Sequence, residues 1–207
     1  MEITNIIFDL GNVMVKWSPE TVLPDLDKKF EKIFFESKIP VFERVWEQSD
    51  IGNLSEIQLI KQISTLTEVS IDKTRHALKM LKHSLLLNKP MCDLMTGLYE
   101  SGYNLYCLSN ISKSFADYLM DKYQFFKYFK GIVFSYEEKC IKPDIQIYKN
   151  LLSKFSISAA DTLFIDDRLE NILSAQSLGI ASIQYYDHKI FLKELSNKLP
   201  AFNIIPA

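Results

Sequence analysis

The sequence is poor in the residues that cross-link small proteins or hold metal–thiolate clusters. Among its 207 residues are only three cysteines. Three scattered cysteines are too few for a disulfide framework or a zinc cluster. Cys107 stands in an apolar run, which is typical of core packing. We therefore expect a reduced protein with a cytoplasmic location.

An excess of one charge and a long apolar run are also missing. Lys and Arg number 24 against 26 for Asp and Glu, which gives a net charge of −2. This balance argues against a nucleic-acid partner or a membrane surface. No apolar run approaches the ~20 residues of a membrane span. The N-terminus enters an apolar strand directly, without a basic leader.

Short apolar runs alternate with segments of helical period over much of the chain. The predicted strands cover residues 6–8, 104–108, 131–134, 162–165 and 181–185. The predicted helices among the last four cover residues 112–123, 144–154 and 169–178. This alternation is typical of a doubly wound, parallel α/β sheet. In such sheets the ligand crevice lies at the carboxyl ends of the strands.

The segment between the first two strands has helical patterns and no convincing strand. A capping box at Ser55 and Gln58 opens a helix to about residue 64, and another helix is expected from 71 to about 86. About 70 residues is far longer than an ordinary crossover. We therefore predict a core domain of residues 1–17 and 89–207, with residues 18–88 inserted as a helical cap.

Polar residues follow four of these strands or the segments just after them. They are Asp9, Ser109 and Asn110, Lys142, and Asp166 and Asp167. Each feature alone has an ordinary explanation as a cap or a turn. Together they would converge on one crevice, because the carboxyl ends of parallel strands share an edge of the sheet.

The chemistry of this set points to phosphoryl transfer. Hard carboxylate oxygens suit Mg²⁺. Lys142, Ser109 and Asn110 suit a phosphate, as do free N–H groups at a helix start. An ionised Asp9 beside a metal and a phosphate is a candidate nucleophile that forms an aspartyl-phosphate.

At this point the sequence resembles the haloacid dehalogenase-like (HAD) hydrolases. It carries that family's four motifs in order, from residue 6 to residue 180: IFDLGNV, LSN, KCIKPDIQIY and FIDDRLENILSAQSLGI. The resemblance implies a Rossmann-like core with a helical cap of the C1 type. These motif sequences most resemble the branch of α-D-glucose-1-phosphate phosphatases and related sugar phosphatases. The resemblance implies small phosphorylated metabolites as substrates, with sugar phosphates as the leading class.

The resemblance also implies a role for each matching residue. Asp9 would be the nucleophile and a metal ligand, the carbonyl of Gly11 a second ligand, and Asp167 with Asp166 the rest of the acid set. Ser109 would bind the phosphoryl group and Asn110 would border the same site. Lys142 would neutralise the phosphoryl group and keep Asp9 ionised.

Gly11 departs from the family pattern. Most HAD phosphatases have an Asp there, which serves as general acid toward the leaving group and general base toward water. Such help is worth about 10²–10⁴ in rate. Three explanations stay open: the substrate has a good leaving group, another residue supplies the proton, or the enzyme is slow. Asn12 cannot supply it, because an amide does not titrate.

Two other functions compete with phosphatase activity. A 2-haloacid dehalogenase also uses an Asp nucleophile but needs no metal, which would leave Asp166 and Asp167 without a neutralising cation. A HAD-like fold kept as a binding or regulatory module would explain Gly11, but such a module has no use for a nucleophile.

Overall fold

The computed structural model describes residues 2–17, 22, 28 and 40–202. The strands are β1 (Asn5–Phe8), β2 (Val15–Trp17), β3 (Leu85–Leu87), β4 (Asn104–Ser109), β5 (Gly131–Phe134), β6 (Thr162–Asp166) and β7 (Ala181–Gln184). The helices are α1 (Pro40–Asp50), α2 (Glu56–Thr67), α3 (Ile71–His83), α4 (Lys89–Glu100), α5 (Lys113–Lys122), α6 (Ser135–Glu138), α7 (Ile145–Phe155), α8 (Leu169–Ser177) and α9 (His188–Lys198). Short 3₁₀ turns lie at Gln124–Tyr128 and Ala159–Asp161.

Five parallel strands form the central sheet, in the order β5-β4-β1-β6-β7. The predicted doubly wound α/β fold is therefore confirmed. Side chains along β1 alternate between its two faces, as a pleated strand requires. Ile6 and Phe8 join one apolar cluster, while Ile7 joins a second with residues of α7 and α8. Both faces of the sheet are thus covered by helices.

A two-stranded antiparallel ribbon differs from the sequence prediction. β2 pairs with β3, and Trp17 lies opposite Leu85. β3 falls inside the segment predicted to lack strands, and α3 ends at His83 instead of about residue 86. Three consecutive leucines satisfy a helical pattern as well as a strand. Only the distant partner strand decides between them.

Helices α1, α2 and α3 lie in the predicted insertion, and the capping box at Ser55 and Gln58 opens α2 as expected. Residues 18–21, 23–27 and 29–39 of that insertion lie outside the described residues. Among the helices of the described part, none combines the length and hydrophobicity needed to cross a bilayer. The α4 and α9 helices were not predicted; Asp187 caps α9 by accepting a hydrogen bond from the N–H of Ile190.

Candidate active site

The loop after β1 carries Asp9 and is fastened to the loop after β6. Asn12 adopts a left-handed conformation with φ 54°, which asparagine tolerates better than most residues. Its amide donates a 2.9 Å hydrogen bond to Oδ2 of Asp167. Gly11 has an ordinary backbone, since it is not among the residues with positive φ, and a Cβ there would meet no atom within 4 Å. The glycine is therefore not required by conformation or space.

Lys142 is held in place by Asn110. The amide of Asn110 accepts a hydrogen bond from the backbone N–H of Lys142 and donates one to its carbonyl, both at 2.8 Å. This two-point clamp gives the Asn110 side chain a positioning contact with the backbone of the lysine. Asn110 also borders the cavity, and its role toward a phosphate stays a prediction.

The Lys142 ammonium is buried among acceptors, with 2% of the residue exposed. Nζ donates to the carbonyl of Leu108 at 3.0 Å and to Oδ2 of Asp166 at 2.6 Å. It also lies 2.8 Å from Oδ1 of Asp9. Burial opposes the charge on Lys142, but Asp166 and Asp9 outweigh it, so its pKa lies above the ordinary value.

The two adjacent acids after β6 have different surroundings. Asp166 is fully buried, and besides Lys142 its oxygens accept from the N–H of Arg168 at 2.8 Å and from the Asn171 amide at 2.9 and 3.1 Å. Asp167 is only partly buried and borders the cavity beside Asp9. Asp166 therefore holds the lysine, while Asp167 faces the space where a ligand would bind.

The carboxylates of the site outnumber its cations. Burial raises the pKa of Asp9 to about 6; the Lys142 charge opposes this, and Asp166 and Asp167 add to it. Burial also raises the pKa of Asp167, against the hydrogen bond from Asn12. One ammonium faces three carboxylates in this part of the site. The arrangement needs further positive charge.

The donor set fits a hard divalent cation. Oxygens of Asp9, Asp166 and Asp167 lie within 4.8 Å of one another. Oδ1 of Asp9 is buried and accepts no hydrogen bond from the described residues, although it lies close to Lys142. Closely spaced carboxylate oxygens with free lone pairs are what Mg²⁺ takes from proteins, usually with waters and substrate oxygens.

A cavity of about 790 Å³ opens over these residues, within the roughly 300–1,000 Å³ usual for small-molecule sites. Predicted site residues on its wall are Asp9, Gly11, Ser109, Asn110, Lys142 and Asp167. Asp166 does not reach the wall. Ser109, with 3% of the residue exposed, ends β4 beside Asp9.

Other residues of the cavity wall were missed by sequence reasoning or left as packing residues. Three half-buried or buried rings, Trp17, Trp46 and Phe115, contact one another with centroids 5.6–6.4 Å apart. The α1 helix adds the acids Glu47 and Asp50. In the sequence, acids on a helix of mixed composition are typical of a solvent-exposed helix face. Only the three-dimensional structure shows that these residues border the cavity.

Residues 3–179 match the haloacid dehalogenase-like hydrolases. The chain belongs to this family. Its sheet order and the acids at the strand ends agree with that assignment. The C1-cap type and the glucose-1-phosphate branch stay predictions.

Two similar proteins are phosphatases. The sesquiterpene phosphatase astK of Aspergillus oryzae is 26% identical over 193 residues, which cover 91% of this chain and 93% of that protein. The D-ribitol-5-phosphate phosphatase of Bacteroides thetaiotaomicron is 26% identical over 198 residues, which cover 88% and 91% of the two chains. Both relatives match this chain over most of their own length.

The fold also matches solved structures. A HAD family enzyme from Bacteroides thetaiotaomicron, solved with magnesium and inorganic phosphate, superposes with a TM-score of 0.73 at 25% identity. The match covers 90% of this chain and 96% of that one. The donor set of Asp9, Asp166 and Asp167 described above fits the same kind of ion.

Proposed function

We propose that this enzyme hydrolyses phosphate monoesters of small metabolites through an aspartyl-phosphate on Asp9. One observation carries the proposal: Asp9 is buried at the floor of the cavity, 2.8 Å from the Lys142 ammonium and beside two further acids. A carboxylate oriented by a cation is suited to attack phosphorus. Water then hydrolyses the acyl phosphate and regenerates Asp9.

The proposed roles follow the contacts. The Ser109 hydroxyl binds a phosphoryl oxygen, Lys142 neutralises the phosphoryl charge, and Asn110 acts by fixing Lys142. Asp9, the Gly11 carbonyl and Asp167 would hold Mg²⁺, with Asp166 as the third acid of the set. When bound, Mg²⁺ stabilises negative charge on the phosphoryl oxygens. The residues 18–88 form the cap in this proposal, and α1 supplies part of the cavity wall.

The metal assignment predicts different phenotypes for the adjacent acids. Asp167→Asn should weaken Mg²⁺ binding at least about tenfold with little loss of stability, because Asp167 borders the cavity and is partly exposed. Asp166→Asn should instead lower the free energy of unfolding by about 3 kcal/mol, since the fully buried Asp166 carboxylate pairs with Lys142 and also accepts hydrogen bonds from Arg168 and Asn171. Titration with Mg²⁺ followed by calorimetry, and urea unfolding without metal, measure the two effects. Equal stability losses would contradict this division.

Removing the metal also separates phosphatase from dehalogenase chemistry. Hydrolysis should stop in EDTA and return when Mg²⁺ is added in excess. Activity that persists in EDTA, with halide released from a 2-haloacid, would favour the dehalogenase. A protein that hydrolyses neither substrate class with Mg²⁺ present would favour a binding module.

The substrate has two candidate classes. The resemblance implies sugar phosphates, and one relative is a ribitol-phosphate phosphatase. The three contacting rings favour a second candidate, the phosphate of an apolar alcohol, because an apolar group gains free energy by displacing water from such a wall. Leu85 and Leu119 extend this surface, and the other relative is a sesquiterpene phosphatase.

Shortening Trp46 should tell the classes apart. Trp46→Ala removes a large ring from the cavity wall, so kcat/KM for farnesyl phosphate should fall about tenfold or more. The value for ribitol 5-phosphate should change much less. Tyr99→Ala deletes an exposed ring of α4 outside the cavity and serves as the control. A preference of the wild type for ribitol or glucose phosphates, with Trp46→Ala impairing them most, would favour the sugar class.

A further inference from the structure

The leaving group of the proposed reaction departs into the cavity. Phosphoryl transfer is roughly in line, so the leaving oxygen lies on the side of phosphorus opposite Asp9. Asp9 is on the core floor, and the space beyond it is bounded by α1. Gly11 offers no proton donor. Any proton for the leaving oxygen must therefore come from the opposite wall or from solvent.

The α1 helix presents three acids to this space, spaced so that they share one helical face. They are Glu43, Glu47 and Asp50. Glu43 and Glu47 are exposed, whereas Asp50 is partly buried at the end of the helix. Of the three, Asp50 also lies against the loop that follows Ser109.

The end of α1 is fixed to the core by several independent contacts. The backbone N–H of Ser112 lies close enough to the Asp50 carboxylate to favour its charged form. The Asp50 carbonyl accepts from the Ser135 hydroxyl at 2.6 Å, and the Gly52 carbonyl accepts from Nζ of Lys139 at 2.7 Å. A Cβ on Gly52 would come within 2.5 Å of the Tyr136 carbonyl. This close packing fixes the backbone at the end of α1, from which the Asp50 side chain borders the cavity.

The pKa of Asp50 allows it to give and take a proton near neutral pH. Burial raises its pKa to about 7; the Ser112 N–H opposes this, and the Glu47 charge adds to it. A group that titrates near the working pH is an efficient general acid and base. Asp50 therefore lines the cavity into which the leaving group departs and can carry a proton there.

We propose that Asp50 is the general acid and base that replaces the carboxyl missing at Gly11; this role rests on the proposed phosphatase reaction. As Asp9 attacks phosphorus and the P–O ester bond breaks, protonated Asp50 gives its proton to the leaving oxygen and releases an alcohol. The Asp50 carboxylate then takes a proton from the water that attacks the phosphoryl group. This releases inorganic phosphate, frees Asp9 and restores protonated Asp50.

The test uses three phosphates of similar size and rising leaving-group pKa: p-nitrophenyl, phenyl and benzyl phosphate, with Mg²⁺ present. For the wild type we expect kcat/KM to depend weakly on leaving-group pKa, because Asp50 protonates the departing oxygen. Asp50→Asn should cut benzyl phosphate hydrolysis about 10²-fold or more, with a loss that shrinks toward p-nitrophenyl phosphate. The dependence on leaving-group pKa should thus become steep. Adding Gly11→Asp to this variant should restore benzyl phosphate turnover, since the position has room for a side chain.

The controls separate proton transfer from anchoring. Asp117→Asn removes an exposed carboxylate from α5 and should leave rates and slope unchanged. An equal loss on all three esters in Asp50→Asn would mean that Asp50 only anchors α1, and would overturn the proposal. The proposal would also be overturned if the steep dependence of kcat/KM on leaving-group pKa appeared in Glu47→Gln and not in Asp50→Asn.

Two further outcomes need no folded Asp50 variant. A steep slope in the wild type overturns the role of Asp50 even if Asp50→Asn does not fold. If the wild type hydrolyses none of the esters with Mg²⁺, the phosphatase reaction fails and the role of Asp50 fails with it. Hydrolysis with a steep dependence on leaving-group pKa in the wild type contradicts only the role of Asp50. Failure of that role and failure of the phosphatase reaction are therefore distinguishable.

Discussion

Asp9→Asn should abolish turnover while leaving the protein folded. The amide has nearly the same shape as the carboxylate but cannot form the acyl phosphate. Loss of a nucleophile of this kind costs about 10⁴-fold or more in kcat. Without metal the variant should be at least as stable as the wild type, because one of three carboxylates that share one ammonium becomes neutral. Steady-state kinetics with Mg²⁺ and urea unfolding in EDTA measure the two effects.

A matched surface change controls for this substitution. Asp93→Asn removes an exposed carboxylate that pairs with Lys89 on α4, and it should change neither turnover nor stability by much. Mass spectrometry of the wild type, quenched in acid during turnover, should find phosphate on the peptide that contains Asp9. Turnover by Asp9→Asn within about tenfold of the wild type would rule out Asp9 as the attacking group.

Lys142→Met should be the most destabilising of these substitutions. The ammonium is buried, pairs with Asp9 and Asp166, and donates to the Leu108 carbonyl. Without it, two buried carboxylates face each other, and breaking such a pair costs about 3–5 kcal/mol. Turnover should also collapse, since the ammonium that neutralises the phosphoryl group in the proposed reaction is gone. The free energy of unfolding in urea, measured without metal, is the direct readout.

An exposed lysine provides the comparison for Lys142→Met. Lys113 pairs with Asp117 on the surface of α5, and Lys113→Met should cost about 0.5 kcal/mol or less. If Lys142→Met were no more destabilising than Lys113→Met, the buried ion pairs would not be contributing as described. Saturating Mg²⁺ should recover part of the stability lost in Lys142→Met, because the cation compensates the same carboxylates.

Much of the fold could be predicted because its signals are local. The strands that became β1, β4, β5, β6 and β7 are short apolar runs bounded by polar residues, and such runs give a parallel sheet when helices separate them. Once the sheet is parallel, its carboxyl edge brings Asp9, Ser109 and Asp167 together. Topology alone therefore assembles the floor of the site from residues distant in sequence.

The parts that could not be predicted depend on contacts between distant segments. The pairing of Trp17 with Leu85 has no local signature, because both residues fit other structures equally well. Asp50 sits in the stretch VWEQSD, which has the mixed polarity of a surface helix. Its neighbours Ser112 and Ser135 come from distant parts of the chain, and a sequence pattern carries no information on either contact.

The ribbon of β2 and β3 has a consequence for product release. One strand precedes the α1–α3 part of the chain and the other follows it, and the two are hydrogen-bonded to each other. Both connections to the central sheet therefore lie side by side, so a rotation of the helical part about this ribbon would leave every bond of the five-stranded ladder intact. Such a swing would have to break the bonds from Ser135 and Lys139 to the end of α1. The lifetime of those few contacts would then set how fast alcohol and phosphate escape.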